Sequence, residues 1–322
     1  MKFAILAPGH IAHSMARAVS EIGKIERYAV ASRDYGRAEE FAKEWGFAKA
    51  YGSYQELAED PEAELVYVAS PHSHHYEHAK LCLEHGKHVL VEKAFTVNAR
   101  QARELIRPSE EKGLLLAEAI WTRYMPSRKM IDDILAEGAI GNVTSLTANL
   151  GYILPHVERM QNPELAGGAL LDLGVYPLNF ALMAFHGAVK EVHASAVMSP
   201  RGVDWMNSMT LIFEDGKMAV LHSDMLAQTD RQGVISGDKG YLEVQNINNC
   251  EEIRVYDLQR RLTIRHQVPR QINGYEYEVL SCIKAIEAGR TECEEMPHSE
   301  ILRVMELMDQ IRGQWGLEYP CE

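Results

Sequence analysis

An apolar strand that runs straight into a small-residue turn and then a helix, Met-Lys-Phe-Ala-Ile-Leu-Ala-Pro-Gly-His-Ile-Ala at residues 1–12, limits this chain more than any other feature. A wholly apolar strand needs cover on both faces, and a helix that begins right behind it supplies that cover on one side. The turn matches Gly-x-Gly-x-x-Gly/Ala with Ala7 in place of the first glycine. Gly9 then stands where backbone must approach a pyrophosphate, and Ala12 where the helix packs on the strand. Free backbone N–H groups at the helix start, around His10 and Ile11, hold such an anion together with the positive helix end, and no basic side chain is required. A plain strand-to-helix turn uses the same small residues, so the turn alone leaves both readings open.

The alternation continues along the first third. Phe3–Ala7, Glu26–Ala31, Leu65–Ser70, His88–Glu92 and Leu114–Ala119 read as strands, with helices at Ile11–Ile22, Gly36–Trp45, Tyr76–Glu84 and Ala99–Glu111. This predicts an α/β domain over residues 1–120 with a doubly wound parallel sheet. After Trp121 the strands lengthen and partly alternate: Val143–Ile153, Glu191–Met198, Met209–Phe213, Met218–Ser223 and Gly233–Val244, with hairpin-turn chemistry in Glu214-Asp215-Gly216-Lys217. A helix over about Ala169–Phe185 interrupts them, and two more, Tyr275–Glu287 and Ser299–Trp315, close the chain. Residues 121–322 therefore read as an α+β domain on a mostly antiparallel, open sheet, with closing helices free to pack back on the first domain.

Composition removes several function classes. Lys+Arg number 33 against 46 Asp+Glu, a net charge of -13, which repels nucleic acid and anionic membrane surfaces. No apolar run reads as long enough to span a bilayer, and the start lacks the basic and apolar regions of a signal peptide, so the expected location is cytoplasmic. The five cysteines are scattered and form no Cys-x-x-Cys pair, which predicts small buried side chains instead of disulfides or a metal knuckle.

Four segments carry chemistry. The second strand ends in Ala31-Ser32-Arg33-Asp34, where a dinucleotide fold reads the adenosine ribose. Ser32 and Arg33 suit a 2′-phosphate, which favours NADP over NAD, while Asp34 fits a helix N-cap. Ser70-Pro71-His72-Ser73-His74-His75 follows the next strand; its histidines cannot converge on a metal, and the loop instead suits the nicotinamide side of a cofactor site, with His78 and His85 on the surface of the helix behind it. Glu92-Lys93 closes an otherwise buried strand, so Lys93 either donates to a substrate oxygen or forms an ordinary ion pair. Finally, Asp172 and Tyr176 sit four apart on one helical face within an apolar stretch, where a carboxylate can orient a phenol or take its proton.

In this order the segments, with Glu118-Ala119-Ile120-Trp121-Thr122-Arg123-Tyr124 and Ser236-Gly237-Asp238-Lys239-Gly240, resemble the glucose-fructose oxidoreductase/inositol dehydrogenase (Gfo/Idh/MocA) superfamily over essentially the whole chain. Tyr176, where many members have His, together with the Trp-x-Arg-Tyr segment, looks most like the dimeric dihydrodiol and xylose dehydrogenase branch. The resemblance implies a Rossmann domain, a homodimer or higher homo-oligomer formed through the open sheet, and hydride transfer between nicotinamide C4 and the carbinol or carbonyl carbon of a cyclic polyol, aldose or trans-dihydrodiol. It implies Lys93, Asp172 and Tyr176 as the catalytic set, with either Lys93 or Tyr176 carrying the proton. Ala7, Gly9, His10, Ile11, Ser32, Arg33, Ser70, Pro71, His72, His75, Glu92 and Lys93 would line the cofactor, and no metal is expected. Arg123, Tyr152 and His156, with Tyr275, would join Lys93, Asp172 and Tyr176 around the substrate. Ala94, in place of the family's proline, frees Lys93 from the pre-proline restriction and removes the easy route to a cis bond. Two other functions stay open: a cofactor-binding regulator without chemistry, and a redox-neutral enzyme whose tightly held NAD oxidises and then re-reduces one substrate.

Overall fold

The computed structural model describes residues 1–322, which divide into two compact units: Met1–Tyr124 with Gln271–Met305, and Met125–Arg270 with Glu306–Glu322. In the first, β1 (Lys2–Leu6), β2 (Glu26–Ala31), β3 (Lys49–Tyr51), β4 (Leu65–Val68), β5 (His88–Glu92) and β6 (Leu116–Ala119) form a parallel sheet in the order β3-β2-β1-β4-β5-β6. Helices α1 (His10–Ser20), α2 (Tyr35–Trp45), α3 (Tyr54–Glu59), α4 (His75–Glu84) and α5 (Ala99–Lys112) connect the strands. Every residue of β4 is buried, as are Phe3–Leu6 of β1 and Val89–Glu92 of β5, which is the burial a two-face-covered sheet demands. The strand order reverses between β1 and β4, and at such a switch point the loops beyond the carboxyl ends part and leave a crevice. Ala7, Ser32, Ser70 and Lys93 all lie just past carboxyl ends of this sheet.

In the second unit, after α6 (Pro126–Ala136), come β7 (Val143–Gly151), the single turn α7 (Glu158–Gln161), a π-helix at Leu170–Gly174 and α8 (Val175–Ala184). β8 (Val189–Met198), β9 (Asp204–Phe213), β10 (Met218–Asp224), β11 (Gly233–Gly237), β12 (Gly240–Val244), β13 (Glu252–Asp257) and β14 (Leu262–Gln267) complete a sheet ordered β14-β13-β12-β11-β7-β10-β9-β8. All neighbours are antiparallel except β7 and β10, which run parallel with Leu146 opposite Ala219. The strand expected over Gly233–Val244 is a hairpin folded at Asp238-Lys239; Gly240 must be glycine, because a Cβ there would lie 2.0 Å from the Tyr256 carbonyl oxygen. Helix α8 packs on β7, β10 and β11. Met218, Val220 and Val197 stay exposed.

One expectation fails outright. Pro163–Ala184 is long and apolar enough, by length and composition, to cross a membrane. It is broken into a 3₁₀ turn, the π-helix and α8, and 94% of its most apolar window is buried inside the protein, so its hydrophobicity is spent on the core. The cysteines form no disulfide, and four of the five are buried, as composition predicted. The closing helices are α9 (Glu276–Glu287) and α10 (His298–Gly313).

Candidate functional site

Ala7 takes φ 69°, the left-handed region that normally favours glycine, so the first glycine's conformation survives without its residue. Gly9 is extended, with φ -93°, and needs no glycine for conformational reasons. A Cβ on Gly9 would meet nothing within 4 Å, so the side chain it lacks would project into open space, the room a pyrophosphate needs. No side chain caps α1 and no acidic residue stands in its first turn, which leaves the N–H groups of His10 and Ile11 at an open, positive helix end. These residues fit a dinucleotide.

At the end of β2, Ser32 is buried and its Oγ accepts the Asp34 amide at 3.2 Å. Asp34 caps α2 through the amides of Gly36 (2.9 Å) and Arg37 (3.3 Å), as the sequence suggests. Arg33 is exposed and hydrogen-bonded to Tyr54; burial pushes the Tyr54 phenol up, and the charges of Arg33 and Arg37 pull it back. Two cations and a phenol thus gather where the ribose would be read, and neither Tyr54 nor Arg37 was found from sequence.

The loop after β4 departs from expectation. His75 is fully buried, its ring held between the carbonyls of Ser70 and Ala94 at 2.8 Å each, and burial lowers it to about 4. With both ring nitrogens engaged by backbone carbonyls, His75 ties the Ser70-Pro71 loop to the Lys93 loop. His72 is buried against the His75 ring. His78, expected on the surface, is half-buried, meets Ser70 Oγ at 2.9 Å, and is pushed down to about 4 mainly by burial.

Lys93 is half-buried and its bond to Ala94 is cis, although no proline follows, so the expectation drawn from Ala94 is overturned. The surroundings hold this turn from three sides. The Ala94 carbonyl meets His75, the Phe95 amide donates to Glu118 Oε1 at 3.0 Å, and the Lys93 amide donates to Glu92 Oε2 at 3.1 Å. Glu92 also accepts the buried Tyr67 hydroxyl. Behind this turn lie two more buried acids. Burial pushes Glu118 up to about 7, against the pull of Arg123, and pushes Glu278 well above the usual carboxylate range, with Glu92 adding to the rise. Arg123, expected at the substrate, is itself buried and paired with Glu300 at 3.0 Å; its charge serves the acids of the first unit. Tyr275 stacks flat on Trp121, ring centroids 4.6 Å apart.

In the second unit, Asp172 lies in the π-helix and Tyr176 in the first turn of α8, both buried. A π-turn inside an α-helix widens the backbone locally and recurs at functional sites. The turn is fixed by groups remote in sequence. Arg159 pairs with Asp172 at 3.2 Å, and the buried Asp204 accepts the Leu170 amide at 2.8 Å, capping the segment from β9. Gly168, at φ 110°, leaves room for that cap, since a Cβ there would stand 2.3 Å from Asp204 Oδ1. Burial pushes Asp204 up to about 7. Tyr152 is half-buried, its hydroxyl meeting Arg231 and Asn248, and His156 is exposed. No group of three or more His, Cys, Asp or Glu is placed to hold a metal.

Residues 1–119 match the family model described as "Oxidoreductase family, NAD-binding Rossmann fold", and residues 129–243 match the GFO/IDH/MocA C-terminal domain. Trans-1,2-dihydrobenzene-1,2-diol dehydrogenase of Danio rerio is 32% identical over 327 residues, which cover 99% of this chain and 98% of the relative. The Homo sapiens protein of that name is 31% identical over 328 residues, with the same coverage. Among solved structures, KijD10, a 3-ketoreductase from Actinomadura kijaniata in complex with NADP and TDP-benzene, superposes with a TM-score of 0.89 at 26% identity over 97% of each chain. Levoglucosan dehydrogenase in complex with NADH and L-sorbose shares the fold, at 19% identity and a TM-score of 0.87 over 98% of this chain and 97% of that one.

Proposed function

The chain belongs to the Gfo/Idh/MocA oxidoreductase family, and from that premise we propose that it is an NADP-preferring dehydrogenase of cyclic polyols, aldoses or trans-dihydrodiols. That it is an NAD(P)-dependent oxidoreductase of hydroxyl or carbonyl substrates follows from its relatives; the substrate class and the cofactor preference are the proposal. The observation that carries it is the company Lys93 keeps: a cation at the carboxyl end of a buried strand, in a turn pinned by His75, Glu118 and Glu92.

The bound nicotinamide supplies or accepts hydride at its C4. Gly9, His10 and Ile11 would hold the pyrophosphate, and Ser32 and Arg33 the ribose end, with Tyr54 and Arg37 beside them. Ser70, Pro71, His72 and Glu92 line the carboxyl ends toward the nicotinamide. Lys93 donates to the substrate oxygen and stabilises negative charge on it. Tyr176 handles the substrate proton, and Asp172, steadied by Arg159, orients it. Exposed Met218, Val220 and Val197 on the large sheet suit association of two copies, which light scattering would read as twice the chain mass.

A panel of aldoses, polyols and trans-dihydrodiols, followed at the reduced-nicotinamide absorbance with NAD and with NADP, tests the function. Sustained formation of reduced cofactor supports a dehydrogenase. Turnover without net reduction would make the enzyme redox-neutral, and binding without turnover of any member would make it a regulator.

A further inference from the structure

In the second unit, Arg231 differs from the other partly buried arginines. Arg254 and Arg312 each meet a carboxylate within 3.1 Å, and no carboxylate pairs with Arg231. Its neighbour Asp230 accepts instead from Asn149 Nδ2 at 2.6 Å and from the Gln232 amide at 3.1 Å. Asp224 Oδ1 accepts the amides of Leu226 and Ala227. A half-buried guanidinium without a counter-charge is costly unless something outside the chain completes it.

The guanidinium is nevertheless held in place. The Arg231 amide donates to Asn149 Oδ1 at 3.2 Å, and its carbonyl accepts the Ile247 amide at 2.9 Å. Its Nη1 donates to the Tyr152 hydroxyl at 3.3 Å, and the group lies over that ring, 5.4 Å from the centroid. Asn248 Nδ2 donates to the same hydroxyl at 3.1 Å. With both lone pairs of the phenol oxygen engaged, its own proton is left to donate elsewhere. Three buried polar atoms here have no partner: Arg231 Nε, Asn248 Oδ1 and Thr229 Oγ1. The cluster also adjoins the proposed catalytic helix. The Tyr152 amide donates to Asp224 at the end of β10, and the preceding Ser223 packs against Gly174 of the π-helix. Phe180, one turn beyond Tyr176 in α8, would touch a Cβ on Gly233 together with Ile247, the residue bonded to Arg231.

We propose that Arg231, Tyr152 and Asn248 form an anion-recognising subsite, so that the alcohol or ketone converted by this enzyme carries a carboxylate or phosphate group. The inference rests on the dehydrogenase reading and narrows its substrate class. A planar guanidinium and a phenol proton converging on one oxygen-bearing anion give charge-assisted hydrogen bonds, which are stronger than neutral ones. An unmet positive charge discriminates against neutral analogues in the same way.

The test titrates inorganic phosphate and acetate, separately and against chloride at constant ionic strength, into the full chain saturated with NADP, with the thermal midpoint as readout. Wild type should be protected by at least one of the two anions, phosphate alone marking a phosphoryl substrate and acetate alone a carboxylate. Arg231→Gln should lose roughly 10- to 100-fold in affinity for that anion, while NADP affinity stays unchanged. Tyr152→Phe, which keeps the ring, should lose several-fold, and it decides the matter if Arg231→Gln folds poorly. Turnover of D-glucose, D-glucuronate and D-glucose 6-phosphate is compared in parallel. Equal protection of wild type and Arg231→Gln, or no protection of either, overturns the subsite. Absence of reduced cofactor with every substrate would instead count against the dehydrogenase reading and leave the anion titration to be judged separately.

Discussion

The Lys93 turn and the Asp172–Tyr176 helix are built in opposite ways. Lys93 is presented by the end of a strand, and residues of the same parallel sheet and its loops fix it: Glu92 beside it, His75 from α4 and Glu118 from β6. Asp172 and Tyr176 sit in a buried apolar helix whose geometry is imposed from outside by Arg159 and by the Asp204 cap. The first arrangement surrounds a cation with acids, two of which burial pushes upward; the second gives one acid a cationic partner. A strand end therefore delivers a charged group with help from its own sheet and loops, whereas an acid inside an apolar helix is held by partners from other elements.

Four substitutions sharpen or break that contrast. Lys93→Ala should lower turnover by about 10²–10⁴-fold and leave cofactor affinity within a few-fold, because the ammonium acts on the substrate oxygen. Near-normal turnover in steady-state assays would move the chemistry wholly to the helix. Tyr176→Phe keeps the packing and removes the hydroxyl, so turnover should fall about 100-fold with the melting temperature unchanged. A raised KM at full kcat would make Tyr176 a binding group and leave the proton to Lys93.

The acid surroundings of Lys93 predict a pH effect on stability. The Glu118 carboxyl is raised from 4.5 to about 7, so the folded state favours its protonated form. That contribution is complete below pH 4.5 and is lost as pH rises through about 7. Glu118→Gln keeps the acceptor for Phe95 and cannot ionise, so it should be more stable than wild type at pH 8 by about 3 kcal/mol and match it near pH 4. Urea midpoints at the two values check this, and parallel curves would show that folding leaves the Glu118 carboxyl at its ordinary value. The smallest effect is expected at the cofactor's far end. Arg33→Ala should weaken NADP by about 1.5 kcal/mol, the low end for a bond to a charged group because the side chain is exposed, and leave NAD unaffected. Equal losses in fluorescence titrations would show that Arg33 does not read the 2′-phosphate.

Local rules made much of the chain legible. Continuous apolar strands, the turn at Gly9, the Asp34 cap and the hairpin after β9 depend on neighbours within a few residues, and each stands where the sequence puts it. Of the segments that escaped, β3 and α3 are short and β14 is largely exposed. Helix α6 carried a helical spacing of buried residues (Ser127, Ile131, Ile134) that could have been read, as could the Ser53–Glu56 capping box and Pro126 at a helix start; β13 escaped as well.

What the sequence determined by itself was the alternation that builds the parallel sheet, together with the lysine, acid and tyrosine proposed for the chemistry. What only the tertiary structure decided was which polar groups meet. His75 turned out to be a clamp between loops, Arg123 a counter-charge for Glu300, and Arg231 a guanidinium without an acid. Periodicity records which side of an element is buried; the partner that satisfies a buried polar group comes from wherever the fold carries the chain, and no local pattern encodes that distance.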